Sequence, residues 1–181
     1  MIHFNTHTEF LKHAKPEHVI IELGDQLMDI GAETQFMRSD EYYRWKHQLK
    51  ITSIDIHGKN RVNQADLSKD QKFVATGNIV TDFGTIEHVS DLYNALLNTH
   101  NLCHENGIMI HSNPKEGTYE GHGHHFFTQK FWHDVAVKCG YEVISIYEQH
   151  PYSESNPDIE VVAVLRKSKK EFPSKEELQI K

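Results

Sequence analysis

The feature that most limits how this chain can fold is a series of short apolar runs, each closed by a turn-forming or polar residue. They are Val19-Ile20-Ile21-Glu22-Leu23, ended by Gly24, and Ile51-Thr52-Ser53-Ile54-Asp55-Ile56, ended by His57-Gly58. A brief element near Ala65-Asp66-Leu67, then Asn78-Ile79-Val80-Thr81-Asp82 and Ile108-Met109-Ile110-His111, continue the series. Runs this short and this apolar read as strands covered on both faces, and their alternation with amphipathic stretches predicts repeated βαβ units. Ser90 is the expected N-cap of a helix burying Leu92, Leu96 and Cys103, stopped by Asn106-Gly107. Thr128 is the expected cap of a second, presenting Phe131, Trp132, Val135 and Cys139, with Gly140 just past its end. Two further runs, at residues 142–147 and 159–165, have no helix between them and predict an antiparallel terminal hairpin.

The 181 residues suit one domain, residues 1–181, with a core over about residues 17–166 and a charged tail, 167–181, read as a solvated end. Hydrophobic residues make up 38%, a modest share that favours a sheet-based core with a wet surface over a helical bundle. A net charge of -7 argues against a partner such as duplex nucleic acid, which needs a broad basic face. No apolar stretch approaches the ~20 residues of a membrane span, so no membrane partner is expected. The N-terminus lacks the basic and apolar regions of a secretory signal. Cys103 and Cys139 read as small buried hydrophobes in a reducing compartment, which points to the cytoplasm. Nothing in the pattern indicates an oligomeric state.

In open α/β sheets, ligands bind beyond the carboxyl ends of the parallel strands, near the point where strand order reverses. Those ends carry Glu22, Asp55, Asp66 and Asp82, one acid on each of four elements. An acid on the second strand suits two ribose hydroxyls, and one on the first suits a cationic amine. Asp66 suits the amino group of a base, and Asp82 the substrate side. One small-molecule pocket is therefore expected, with residues 81–89 at its edge.

Four segments resemble the class I S-adenosylmethionine-dependent methyltransferases. They are Val19-Ile20-Ile21-Glu22-Leu23-Gly24, Ser53-Ile54-Asp55-Ile56, Gln64-Ala65-Asp66-Leu67, and the run from Ile79 through Thr81-Asp82-Phe83-Gly84-Thr85-Ile86-Glu87-His88-Val89. The resemblance implies a three-layer α/β Rossmann-like fold with a mostly parallel seven-stranded sheet and a C-terminal antiparallel hairpin. It also implies S-adenosyl-L-methionine as cofactor and methyl transfer to a small-molecule substrate by in-line displacement. Glu22 and the backbone at Gly24 would face the methionine part, Asp55 the ribose, and Ile56 the adenine. Asp66 and Leu67 would meet the adenine edge, while Asp82 and Phe83 would form the floor between cofactor and substrate.

The first loop departs from the family pattern. It reads Gly24-Asp25-Gln26-Leu27-Met28, with side chains where later glycines belong, and the interval to Asp55 is roughly ten residues longer than the ~20-residue spacing of such units. That departure leaves open a catalytically silent Rossmann-like binding protein with a degenerate cofactor loop. It also counts against a nicotinamide dehydrogenase, which needs Gly-x-Gly-x-x-Gly at this turn.

Glu87 and His88 follow the fourth strand, where an acceptor lies in this fold, and are the candidate catalytic pair. The alternative is that they cap and buttress the next helix. Similar pairs occur in quinone-precursor O-methyltransferases and in metal-dependent RNA terminal-ribose methyltransferases. The latter carry another Glu three residues earlier, where this chain has Gly84, so no metal is assigned to the pair. His122, His124 and His125, with His88 or His111, have the chemistry of transition-metal ligands and define a metal-dependent enzyme as a further alternative. Imidazoles so close in a Gly-rich loop rarely preorganise a site unaided. The expectation is a substrate lid, with Tyr119, Phe126 and Phe127 as apolar wall.

Overall fold

The computed structural model describes residues 1–57, 62–152, 155 and 157–179. In chain order the elements are β1 (Ile2–His3), α1 (Phe4–His13), β2 (Ile20–Leu23), β3 (Met28–Asp29), α2 (Ser39–His47), β4 (Ile51–Asp55) and β5 (Asn63–Gln64). They continue with β6 (Gly77–Phe83), a 3-10 turn (Ile86–His88), α3 (Leu92–Leu102), β7 (Cys103–Pro114), α4 (Gln129–Cys139), β8 (Glu142–Gln149), β9 (Glu160–Arg166) and α5 (Lys175–Leu178).

Seven strands form one sheet in the order β5-β4-β2-β6-β7-β9-β8. From β5 to β7 every pairing is parallel, and β9 runs antiparallel to both β7 and β8. This is the mostly parallel sheet with a terminal hairpin expected from the apolar runs. Strand order reverses between the neighbours β2 and β6, so their carboxyl ends open a crevice there.

Side chains alternate across a strand, and the sheet divides its apolar residues accordingly. Ile21, Leu23, Val80, Met109 and Val161 pack with Leu96 of α3 and with Trp132 and Val135 of α4. Ile20, Ile79, Ile110, Val162 and Val164 pack on the opposite side with Phe10 of α1 and Tyr43 of α2. The result is the three-layer arrangement. Trp132 and Phe10, both buried, each contribute roughly 2–3 kcal/mol of apolar transfer energy.

Several boundaries differ from the expectation. Pairing on the third element is confined to Asn63 and Gln64, after which Asp66 turns the chain by accepting from the Ser68 amide and hydroxyl. Gly58, expected to end the second strand, lies outside the described residues. The cap of α3 is Asp91, whose carboxylate accepts from the Asn94 amide at 3.0 Å. Ser90 does not serve, because a cap must sit directly before the first helical turn. Cys103 leaves the helix and opens β7, which runs through Asn106-Gly107. Thr128 and Gly140 act as expected, the first accepting from the Phe131 amide and the second ending α4 at φ 69°.

Both chain ends belong to the packed structure. Ile2 and Phe10 are buried, and Ile2 pairs with Met28 in a separate two-stranded sheet, so packing begins well before residue 17. The reading of residues 167–181 as a solvated end is likewise corrected over the described part. Lys167 donates to the carbonyls of His100 and Cys103, Ser174 and Glu177 form a capping box, and Leu178 is buried in the α3–α4 core. Phe172 and Leu178, the apolar side chains that dock here, were invisible among so many charges. Among the described residues no helix is long and apolar enough to cross a membrane.

Candidate functional site

A cavity of about 530 Å³ lies at the carboxyl ends of β2, β4, β5 and β6. Gly24, Asp55, Ile56, Asp66 and Leu67 line it, as do Asp25, Gln26, Thr85 and His88. Its volume lies within the range of small-molecule sites. Asp55 accepts the Asp25 amide on one oxygen (3.1 Å) and the His57 amide on the other (2.8 Å). A carboxylate has about four lone-pair directions, so each oxygen keeps capacity for a ligand hydroxyl. The Ser68 hydroxyl, the largest influence, and Lys69 hold Asp66 ionised, its pKa lowered to about 2.

The glycine-poor loop has its own way of staying close. Gly24 adopts φ +82°, and a Cβ there would lie 2.4 Å from Thr85 Oγ1, so only glycine fits this close approach of the turns that follow β2 and β6. The Thr85 hydroxyl donates to the Leu23 carbonyl at 2.7 Å, and Gln26 Nε2 donates to Thr85 Oγ1 at 3.0 Å. The additional residues before α2 fold as a ribbon rather than a helix. Leu27 bridges Arg38, and Arg38 binds Asp25 at 2.5 Å and Asp40 at 3.1 Å. Met28 is buried against Ile2 and away from the cavity, so it does not fill the groove. Asp25 Oδ1 is buried at the cavity wall and has no hydrogen-bond partner among the described residues.

Two of the four strand-end acids stand behind the wall. Glu22 is buried, and its Oε2 accepts from the hydroxyls of Ser39 (2.7 Å) and Ser53 (2.9 Å). Burial pushes its carboxyl up to about 7 against those hydrogen bonds. Asp82 is fully buried. Its Oδ1 accepts the amides of Thr85 and Ile86, and its Oδ2 accepts His111 Nδ1 at 3.0 Å and Asn113 Nδ2 at 2.9 Å. With four donors satisfied, Asp82 shapes the turn after β6 and does not itself face the cavity. Phe83 lies on a second, adjoining pocket.

That second pocket encloses about 230 Å³ and is lined by Thr6, Ser112, Glu160, Tyr119, Glu87 and His122, among others. Gly84 and His88 line both pockets and mark their junction. Glu87 is 1% exposed. Burial first, and the Asp82 charge second, push its carboxyl up to about 8. Asn113 Nδ2, already bound to Asp82, also donates to Glu87 Oε2 at 3.2 Å, so one amide holds both carboxylates. Desolvation and the neighbouring His122 and His124 lower the pKa of His88, favouring its neutral imidazole.

The His-rich loop closes over this pair. The amides of His124 (2.8 Å) and His125 (3.2 Å) donate to the Glu87 carbonyl, and His125 Nε2 donates to the Val89 carbonyl at 2.9 Å. A Cβ at Gly123 would lie 2.9 Å from the Glu87 carbonyl oxygen, so glycine permits the approach. His122 is thereby brought against Glu87 and His88, while the His125 ring is turned to the Val89 carbonyl. Phe127 is buried in the core beside Trp132, and so is part of the scaffold rather than pocket wall.

Sequence reasoning missed Asp25, Thr85 and Asn113 as site-building residues and offered His111 only as a metal ligand. Asp25 and Thr85 flank recognised positions and carried a signal. Asn113 carried none, and nothing paired His111 with Asp82, because only the β6–β7 register brings both to that carboxylate.

The strand order and the position of the cavity define the class I S-adenosylmethionine-dependent methyltransferase fold. An S-adenosylmethionine-dependent methyltransferase from Methanosarcina mazei superposes with a TM-score of 0.63 at 9% identity, covering 88% of this chain and 97% of its own. A Burkholderia thailandensis 1,6-didemethyltoxoflavin-N1-methyltransferase, solved with 1,6-didemethyltoxoflavin and S-adenosylhomocysteine, gives 0.60 at 13% identity, over 92% of this chain and 84% of its own. A third S-adenosylmethionine-dependent methyltransferase, from Mesorhizobium loti, gives 0.60 at 11% identity, over 88% and 96%. No family model and no curated protein matches the sequence.

Proposed function

We propose that this protein binds S-adenosyl-L-methionine in the larger cavity and methylates a small molecule held in the adjoining pocket. The observation that carries the reading is the convergence of Gly24, Asp55, Ile56, Asp66 and Leu67 on one cavity at the strand-order reversal. The residues present fit such a cofactor. Asp55 has lone pairs for ribose hydroxyls, and Ile56 and Leu67 offer apolar contact to a base. Gly24 permits close backbone approach, and the unpartnered Asp25 Oδ1 is a natural acceptor for an amino group. Asp25 thus takes the cationic-amine role expected of Glu22.

When bound, the cofactor supplies an electrophilic methyl group, and the chain's contribution is to position the acceptor and exclude water. Glu87 and His88, at the junction of the pockets, are the acceptor-side groups. Charge supports the same reading, since -7 overall suits a small acceptor better than nucleic acid. We assign the activity to the cytoplasm on the cysteine pattern. Calorimetric titration with S-adenosylmethionine and S-adenosylhomocysteine tests the reading: saturable binding of at least one is expected. Absence of binding to both at millimolar concentration defeats it.

A further inference from the structure

We propose that Glu87, His88 and His122 bind one divalent transition-metal ion, and that this ion holds and acidifies a hydroxyl group of the acceptor. The acceptor half rests on the methyl-transfer reading above, whereas the ion-binding half stands without it. One ligand atom from each residue lies within 4.8 Å of the others. Glu87 Oε1 is 3.7 Å from His88 Nε2 and 3.8 Å from His122 Nε2. Ligand atoms around a tetrahedral ion with bonds of about 2.1 Å are roughly 3.4 Å apart, so small rotations of two half-exposed imidazoles complete the set.

The chemistry of the three donors fits. Two imidazole nitrogens and one carboxylate oxygen suit zinc, iron, cobalt or nickel better than magnesium or calcium. Three protein ligands leave coordination positions open, as in catalytic sites. Glu87 is buried, and among the described residues its ion-pair partners are these two imidazoles, with no Lys or Arg in reach. A buried carboxyl beside the buried Asp82 keeps its proton or takes a cation, and an ion held on Glu87 Oε1 would stand where that proton otherwise sits. Asn113 occupies Glu87 Oε2 and so leaves Oε1 facing the imidazoles, the supporting contact that ligating carboxylates need.

The loop that delivers His122 is fastened for the purpose by its two amide bonds to the Glu87 carbonyl and by the His125 ring on Val89. His125 is spent on that fastening, which separates its role from that of His122. The open positions fall in the second pocket, beside Gly84 and His88, which also line the first. A hydroxyl there donates an oxygen lone pair to the ion, and its weakened O–H bond releases the proton to water. No electron is transferred. The acceptor class is therefore a hydroxyl-bearing small molecule.

The test uses the full chain without a histidine tag, stripped with a chelator and titrated with cobalt(II) chloride under visible spectroscopy. We expect one cobalt per chain, with affinity reduced about tenfold or more in His122→Ala and in His88→Gln, and unchanged in His124→Ala. Azide, a small anionic ligand, should shift the visible bands if positions are open. No bound cobalt, or equal affinity in the His122 and His124 variants, overturns the site, and bands indifferent to azide overturn the acceptor half. Calorimetry with S-adenosylhomocysteine on the same samples separates the two readings. Cofactor product bound without cobalt removes only the metal, and cobalt bound without cofactor product removes only methyl transfer.

Discussion

Gly24 and Thr85 approach so closely that a Cβ on the glycine would lie 2.4 Å from Thr85 Oγ1. Two neighbouring strands are joined there by a hydroxyl that donates to the Leu23 carbonyl and accepts from Gln26. The contact sets the near wall of the larger cavity. It also shows how a loop without repeated glycines keeps its backbone near a ligand.

Gly24→Ala should therefore lose about 2–3 kcal/mol of stability, combining the cost of positive φ with a steric clash. In the double variant Gly24→Ala/Thr85→Ala the clash is relieved, so its loss should fall short of the sum of the single losses. Urea denaturation of the three variants measures this coupling, and strict additivity would contradict the contact.

Asp55→Asn keeps the size of the side chain but removes its charge and puts a donor where an acceptor stood. We expect affinity for S-adenosylhomocysteine to fall about tenfold or more, roughly 1.4 kcal/mol. Calorimetry checks it. An unchanged affinity would remove Asp55 from the cofactor site.

The buried Glu22 makes stability depend on pH. Its pKa is raised by burial to about 7 in the folded chain, with the Asp25 charge adding to the rise, against about 4.5 as the ordinary value. Between those values the folded state keeps a proton that the unfolded state has lost. The contribution is thus fully present below about pH 4.5 and is lost as pH rises through about 7, on the order of 3 kcal/mol. Glu22→Gln should lose this component. Chemical denaturation of both proteins near pH 5 and near pH 8 tests it, with the variant gaining on the parent at the higher pH.

The C-terminal turn is anchored by Leu178 in the core and capped by Ser174. Leu178→Ala should cost about 2 kcal/mol and Ser174→Ala about 1 kcal/mol. Thermal unfolding reads both, and a tail that contributed nothing would leave the transition unmoved.

The expected strands at 19–23, 51–56, 78–82 and 108–111 and the terminal hairpin correspond to observed ones, because each is a compact apolar run with its own stop signals. The N-terminal layer was not legible. Phe4–His13 is interrupted by His and Thr at positions that turn inward, where His7 meets the Tyr43 hydroxyl at 3.0 Å. Histidines and tyrosines that satisfy one another inside a core do not register as an apolar stripe. At the site, Asp55, Asp66 and Gly24 could be read from their places at strand ends. Glu22 and Asp82 occupy equivalent places yet serve the scaffold, since hydroxyls, amides and imidazoles from other elements had already taken their oxygens.

What the sequence by itself determined is local: where the four apolar strands and the terminal hairpin run, the Thr128 and Gly140 ends of α4, and that residues 81–89 lie at a pocket's edge. It placed Glu87 beside His88 and grouped His122, His124 and His125 with His88, but did not say which of the three comes within 3.8 Å of Glu87. Only the tertiary structure decided that. The contact depends on β6–β7 register, on the fold of the glycine loop, and on backbone bonds to the Glu87 carbonyl. Periodicity reports which face of an element is apolar. Which side chains meet across elements is set by packing and register, which no single segment encodes.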